Sequence, residues 1–289
     1  MFRPFGILLD SIKIFNRANS FTSAAAISFY AFFSLIPLMI LVTASLGFIM
    51  GAKAGLLDRV IGMVKESVPY ISDRIIGDVK GLSTEWKKMG WLGAISLIWS
   101  AEFVLEATAG ALTSIFGTVE RFGFVRRKLV NLFMLLLGIL AALASIFMTA
   151  AALIIKNLRL KILRIDILDY FVQTFLFEFL FPFLVVAVVI AIIFKVFSGS
   201  GLDFKYAFAG SLIFATLWEA AKHVFAWYVS NFPSYNKVYG SLGALMLLLL
   251  WMFYSANILL FSASVAKAAY GRSGRVRTKK NDRLQGRKS

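Results

Sequence analysis

The chain has 289 residues, of which 60% are hydrophobic and 16% charged, against roughly 25% charged in an ordinary soluble domain. Mean hydropathy is +0.80, which excludes an ordinary water-soluble fold, and the long apolar blocks exclude a transmembrane β-barrel, whose strands would alternate over about 10 residues. Cysteine is absent, so disulfide and thiol chemistry play no part. The net charge of +16 admits a nucleic-acid partner, but basic residues held beside anionic lipid on the cytoplasmic face explain it more simply. The expected partners are membrane lipids, with no nucleic acid.

In chain order, Phe5, Leu8, Leu9, Ile12 and Phe15 fall on one helical face, with Asp10, Lys13 and Arg17 elsewhere. This predicts an N-terminal amphipathic helix lying on the membrane surface. The same charges interrupt the apolar region that a cleaved signal would need, despite Ala24, Ala25 and Ala26. Span one is expected at residues 23–50, with Pro37 as a kink or hinge. Two further amphipathic helices, divided at Pro69, are expected between spans one and two and outside the hydrocarbon. Span two, residues 90–117, is the most polar and carries Glu102 and Glu106. A basic anchor follows at Arg121, Arg126, Arg127 and Lys128. Spans three to six are expected at residues 129–155, 170–197, 206–228 and 239–266. Pro182 is a second hinge candidate. Residues 269–289 read as a basic, disordered cytoplasmic tail beyond a single integral-membrane domain of residues 1–268.

The predicted fold is thus all-α, a polytopic membrane bundle of six transmembrane helices. Six crossings put both termini on one side. Lys and Arg are more numerous there, chiefly through the tail, so both termini are expected in the cytoplasm. The aromatic-polar elbow Asn231–Tyr239 then faces outward. It joins spans five and six, and its irregular backbone must lie at the interface or against protein.

Ionisable groups inside the spans are the candidate site. Glu102 and Glu106 share a face of span two at a spacing of four. Glu219, Lys222 and His223 share a face of span five at i, i+3 and i+4. A charge in the bilayer core costs at least about 2.5 to 3.5 kcal/mol, so it is expected to face the interior and find a partner. At 1.5 Å per residue Glu102 lies roughly 18 Å and Glu219 roughly 20 Å into the membrane, near the midplane from opposite directions. Lys222 is expected to pair with Glu219 or Glu102. The readings are a static pair that fixes packing and a substrate or proton pathway. His223, the single histidine, is too few for a metal site, and Asn257 reads as a helix–helix hydrogen bond. No metal, cofactor or catalytic residue is expected, because P-loop, HExxH and GxSxG patterns are missing.

Several stretches together resemble the YihY/BrkB family of bacterial inner-membrane proteins. They are residues 24–37 (AAAISFYAFFSLIP), Trp99 to Ala101, Glu120 to Arg127, Trp218 with Glu219 and Lys222, Ser230 with Asn231, Tyr235 with Asn236, and Tyr239 to Gly243. The loop from Phe197 to Gly201 lacks the proline-containing turn frequent in that family. The resemblance implies a six-span inner-membrane protein, for which transport is a common suggestion. Some members have carried the name ribonuclease BN, which one histidine and no cysteine do not support. The leading functional expectation is a transporter or exporter of a small solute or lipid. Glu102, Glu106, Glu219, Lys222 and His223 would line its cavity, and Asn231, Tyr235, Asn236 and Tyr239 would form its outer mouth. A non-transport structural or assembly protein and a membrane-embedded enzyme are the alternatives.

Overall fold

The computed structural model describes residues 4–50, 86–118, 128–140, 143, 180–231 and 242–285. Among these residues the chain is all-helical. The α-helices are α1 (Pro4–Arg17), α2 (Ser20–Phe33), α3 (Leu35–Met50), α4 (Trp86–Phe116), α5 (Phe181–Ser198), α6 (Phe204–Asn231) and α7 (Leu242–Gln285). A further helical stretch covers Lys128–Leu140.

Four stretches are long and apolar enough to cross a bilayer: Ser20–Ser45, Gly90–Phe116, Phe181–Ser198 and Leu242–Ser273. They match expected spans one, two, four and six. Only 11% to 28% of the most apolar window of each is buried within the protein, leaving side chains such as Trp91, Ile95, Ile98 and Met39 open. Such a surface is untenable in water but natural against lipid. α6, expected span five, has 28 residues, enough to cross, but its ionisable residues make it less apolar. Lys128–Leu140 coincides with the start of expected span three. The rest of that span, the first part of span four, the helices expected around Pro69 and most of the elbow lie outside the described residues.

The chain divides into two compact units, Ser28–Val104 and Met1–Ile27 with Leu105–Ser289. Within Ser28–Val104, α3 and the first half of α4 run antiparallel. Tyr30 stacks on Phe103 with ring centroids 5.6 Å apart, and Gly90 lies against Ala44. A Cβ at Gly93 would stand 3.1 Å from both Ile40 Cγ2 and the Leu41 backbone nitrogen, so glycine sets how closely these helices approach. Expected span one is interrupted at Ser34 between α2 and α3. Pro37 is the third residue of α3, where its missing N–H interrupts little of the ladder. The backbone bonds Ser34 N–H to Tyr30 O (3.0 Å) and Leu38 N–H to Ser34 O (3.2 Å) carry the chain through the interruption.

In the other unit, α5 packs on α6, α6 on α7, and α1 on α7. Small residues dominate the α6–α7 seam. Ala207, Ser211, Ser262 and Ala263 are fully buried, and a Cβ at Gly210 would meet Ala266 Cβ at 2.7 Å and Ser262 O at 3.1 Å. Without a hydrophobic drive between helices in lipid, such close backbone approach supplies the packing energy.

One end of this unit is laced by polar groups that cross between helices. α4 ends in a Schellman motif. Gly117 takes φ +63°, Thr118 N–H donates to Thr113 O, and Gly117 N–H donates to Ser114 O. The carbonyl of Phe116 accepts from Lys267 Nζ at 2.7 Å, and Thr118 Oγ1 donates to Phe197 O at 3.0 Å. α5 stops at Gly199, φ +58°, where Lys195 Nζ donates to Gly199 O and Leu202 O. A lysine and a glycine thus make this turn, which lacks a proline. Both lysines place positive charge at a helix C-terminus, where the macrodipole favours it. The C-terminal ends of α4 and α5 and the later part of α7 therefore lie together.

α1 forms as expected, and its predicted apolar face is turned away from the protein. Ser11 and Phe15 are buried, while Phe5, Leu8, Leu9 and Ile12 stay exposed. Phe15 meets Phe261 with centroids 6.2 Å apart, and Phe21 lies near Phe253. Asp10 Oδ2 accepts from Arg272 Nε at 2.6 Å, and the same guanidinium covers Gly6. α1 and the start of α2 consequently run antiparallel to α7, with a turn at Asn19, φ 50°. Past residue 269, α7 continues to Gln285, and Tyr270 packs edge-on against Tyr206. Its Ala, Lys and Arg residues favour helix, and the contacts of Tyr270 and Arg272 outweigh the polarity that suggested disorder.

Candidate functional site

The charged face of α6 is the most defined of the expected site regions. Glu219 lies 15 residues after Phe204, the start of the helix, and Lys222 and His223 follow one turn later on the same face. Lys222 Nζ is 2.7 Å from Glu219 Oε2. His223 Nε2 is 3.6 Å from Glu219 Oε1, close enough for charge attraction when protonated but too long for a hydrogen bond. One carboxylate thus faces two basic groups, one on each oxygen. Its side chain is 24% exposed, that of Lys222 47% and that of His223 79%.

The expectation that Lys222 pairs with a carboxylate holds for Glu219. The pair lies within a single helix. Glu102 is half-buried and Glu106 exposed on α4, and both have interaction partners. Asn231 ends α6 and donates through Nδ2 to Trp227 O at 2.8 Å. Tyr235, Asn236 and Tyr239 lie outside the described residues. Pro182 is the second residue of α5, and Leu180 before it already has helical backbone angles. Asn257 donates to Phe253 O of its own helix at 2.7 Å, so the helix–helix bond expected of it goes to its own backbone instead, and its Oδ1 is buried without a hydrogen-bond partner.

An aromatic cluster that sequence reasoning missed flanks the charges. Trp218, adjacent to Glu219, lies 5.1 Å from Trp251 by ring centroids. Trp251 also meets Phe225 at 4.8 Å, and Phe214 stacks on Trp218. The signal was present, because Trp218 and Trp251 bracket the stretch in which the family resemblance is densest. The arrangement offers an acid, an ammonium and an imidazole along an aromatic wall. Among the described residues no group of three or more His, Cys, Asp or Glu side chains could hold a metal.

Comparison with known proteins agrees with this architecture. The family described as Virulence factor BrkB matches residues 11–286. A UPF0761 membrane protein of Azotobacter vinelandii is 26% identical over 253 residues, covering 84% of this chain and 58% of the relative. A UPF0761 membrane protein of Alcanivorax borkumensis is 24% identical over 269 residues, covering 92% of this chain and 60% of the relative. The chain therefore spans about three fifths of the length of these two relatives. A ribonuclease-like protein of Bacillus subtilis, YfkH, is 21% identical over 254 residues, covering 84% of this chain and 88% of that protein. No solved structure matches. With a family match over nearly the whole length and four membrane-length apolar helices, the chain belongs to the BrkB family of membrane proteins.

Proposed function

We propose that the chain is a transporter or exporter of a small solute or lipid, with the Glu219–Lys222–His223 face of α6 lining the path. The observation that carries this reading is the intrahelical character of the 2.7 Å pair. A charge pair kept to lock a bundle has to tie two helices together, and among the described residues this one ties α6 to itself. Charges in a membrane span are costly, so a pair without an interhelical task needs another reason to persist. Partial exposure of both side chains leaves them within reach of a solute or proton. Glu102 and Glu106 would contribute from α4, and the elbow with Asn231, Tyr235, Asn236 and Tyr239 would form the outer mouth. Pro37 and Pro182 would serve as hinges.

The topology that goes with this reading is six crossings of a bacterial inner membrane, both termini cytoplasmic. α6 supplies one crossing and the stretch beginning at Lys128–Leu140 another. Reporter fusions at residues 1, 123, 201 and 280 should report cytoplasm, and fusions at 70, 163 and 235 the outside. An external C-terminus overturns it.

Glu219→Gln tests the function. The neutral amide keeps hydrogen bonding and loses the charge. Normal abundance with failure to restore a deletion strain's lipid and metabolite profile is the expected result. Normal abundance with full restoration removes Glu219 from the path.

A further inference from the structure

Lys222 stands at a border on α6. It follows Trp218 by four residues and precedes Phe225 by three, so it shares their stripe, while Glu219 and His223 form the next stripe round the helix. Trp218 and Phe225 both meet Trp251 of α7, with ring centroids 5.1 and 4.8 Å away. Lys222 therefore lies between an aromatic wall and a carboxylate. The carboxylate is the least open of the three ionisable side chains, 24% exposed against 47% for Lys222 and 79% for His223. Each of its oxygens already faces a basic group. An ammonium has three donors, and the contact with Glu219 Oε2 uses one of those of Lys222. α5 and α7, which pack on α6, bring no carboxylate to this level. α5 is charged only at Lys195, and α7 is uncharged from Leu242 to Ala266. Glu102 and Glu106 of α4 have partners of their own. A cation arriving at this face meets Lys222 and a carboxylate already shared. An anion meets open donors in apolar surroundings, where a charge-assisted hydrogen bond is stronger than in water.

We propose that the molecule recognised at this face is an amphiphilic anion, its carboxylate or phosphate held by Lys222 and its apolar body laid along Trp218, Phe225 and Trp251. This names a substrate class for the transport reading and rests on that reading. The anionic group can belong to a free organic acid or to a lipid headgroup, since Lys222 recognises the charge that both share.

Full-length protein in phosphatidylcholine nanodiscs provides the test, read by quenching of tryptophan fluorescence. The free probes are bromodecanoate, bromodecanol and bromodecyl-trimethylammonium. The lipid probes are phosphatidylglycerol and phosphatidylcholine with brominated chains. The Trp218→Phe, Trp251→Phe double variant gives the background, and the quenching it removes is the signal of the site. That signal should appear with an anionic probe at a concentration on the order of tenfold below that for the trimethylammonium. Lys222→Met should abolish the anion preference without changing the response to bromodecanol, and Lys222→Arg should keep it. Glu219→Gln releases the ammonium and should tighten anion binding. Preference for phosphatidylglycerol over phosphatidylcholine assigns the anion to a lipid headgroup, and a signal from bromodecanoate alone assigns it to a free acid. An equal or stronger signal from the trimethylammonium, no site signal from either anion, an unchanged preference in Lys222→Met, or weaker anion binding in folded Glu219→Gln overturns the proposal. Anion binding of the expected form together with full restoration of a deletion strain by Glu219→Gln strikes the transport reading alone. An absent anion preference with failed restoration strikes only the substrate class.

Discussion

The polar contacts at the laced end of the bundle and those in the middle of α6 use similar chemistry to different ends. Lys267 reaches a carbonyl on α4, Thr118 one at the end of α5, and Arg272 an aspartate on α1. Each spans two helices far apart in sequence. Among the described residues Lys222, His223 and Glu219 pair with one another along one helix, and Asn257 and Asn231 likewise bond backward to their own backbone. The first set holds helices in register and the second does not. Removing a member of the first set should therefore cost stability, and removing a member of the second should cost activity.

The close α6–α7 seam sets the scale for this contrast. Gly210→Leu forces a side chain against Ala266 and the Ser262 carbonyl, and should lower stability by about 3 kcal/mol. Thermal melting in detergent, followed by size-exclusion recovery, would read it. A variant that melts like the parent would mean that the seam is looser than the glycine's surroundings imply.

Lys267→Met comes next. It leaves the Phe116 carbonyl without its donor and removes a cation from a helix C-terminus, for an expected loss of about 2 kcal/mol. Lys267→Arg should recover part of it. A loss for Lys222→Met as large as that for Lys267→Met would erase the distinction between the two regions.

A double-mutant cycle on Asp10→Asn and Arg272→Gln should give a coupling of about 1 kcal/mol, modest because both side chains are about a third exposed. Zero coupling would mean that the Asp10–Arg272 pair does not hold α1 to α7. The smallest effect is expected at the α6 pair. Lys222→Met should lower stability by about 0.5 kcal/mol, and the Lys222→Met, Glu219→Gln double change by less, because the second substitution removes the stranded charge.

The apolar spans were legible because hydropathy over about 20 residues depends on composition alone. Expected boundaries at 23, 90, 197 and 239 fall within a few residues of helix ends or span limits. The Glu219–Lys222 pair was legible because helical spacing fixes it locally. The lacing of Lys267, Thr118 and Lys195 was not, because a C-terminal carbonyl can be met by whichever distant side chain the packing delivers. The docking of α1 was not legible for a related reason. Amphipathicity singled out Phe5, Leu8, Leu9 and Ile12 for the membrane surface, and they do face away from the protein. Gly6, Asp10 and Ser11, with no apolar signal, do the docking alongside Phe15. Trp251 and Phe225 carried a compositional signal, but without knowing that α6 packs on α7 it could not be joined to Trp218.

The clasp between Asp10 and Arg272 joins residues 262 positions apart, and this has a consequence for biosynthesis. α1 leaves the ribosome well before its anchor on α7. Until then Phe15 lacks the Phe261 ring it packs against, and the clasp closes only when Arg272 has emerged. A chain halted before residue 272 would thus display an undocked amphipathic segment, the kind of feature a membrane protease could recognise.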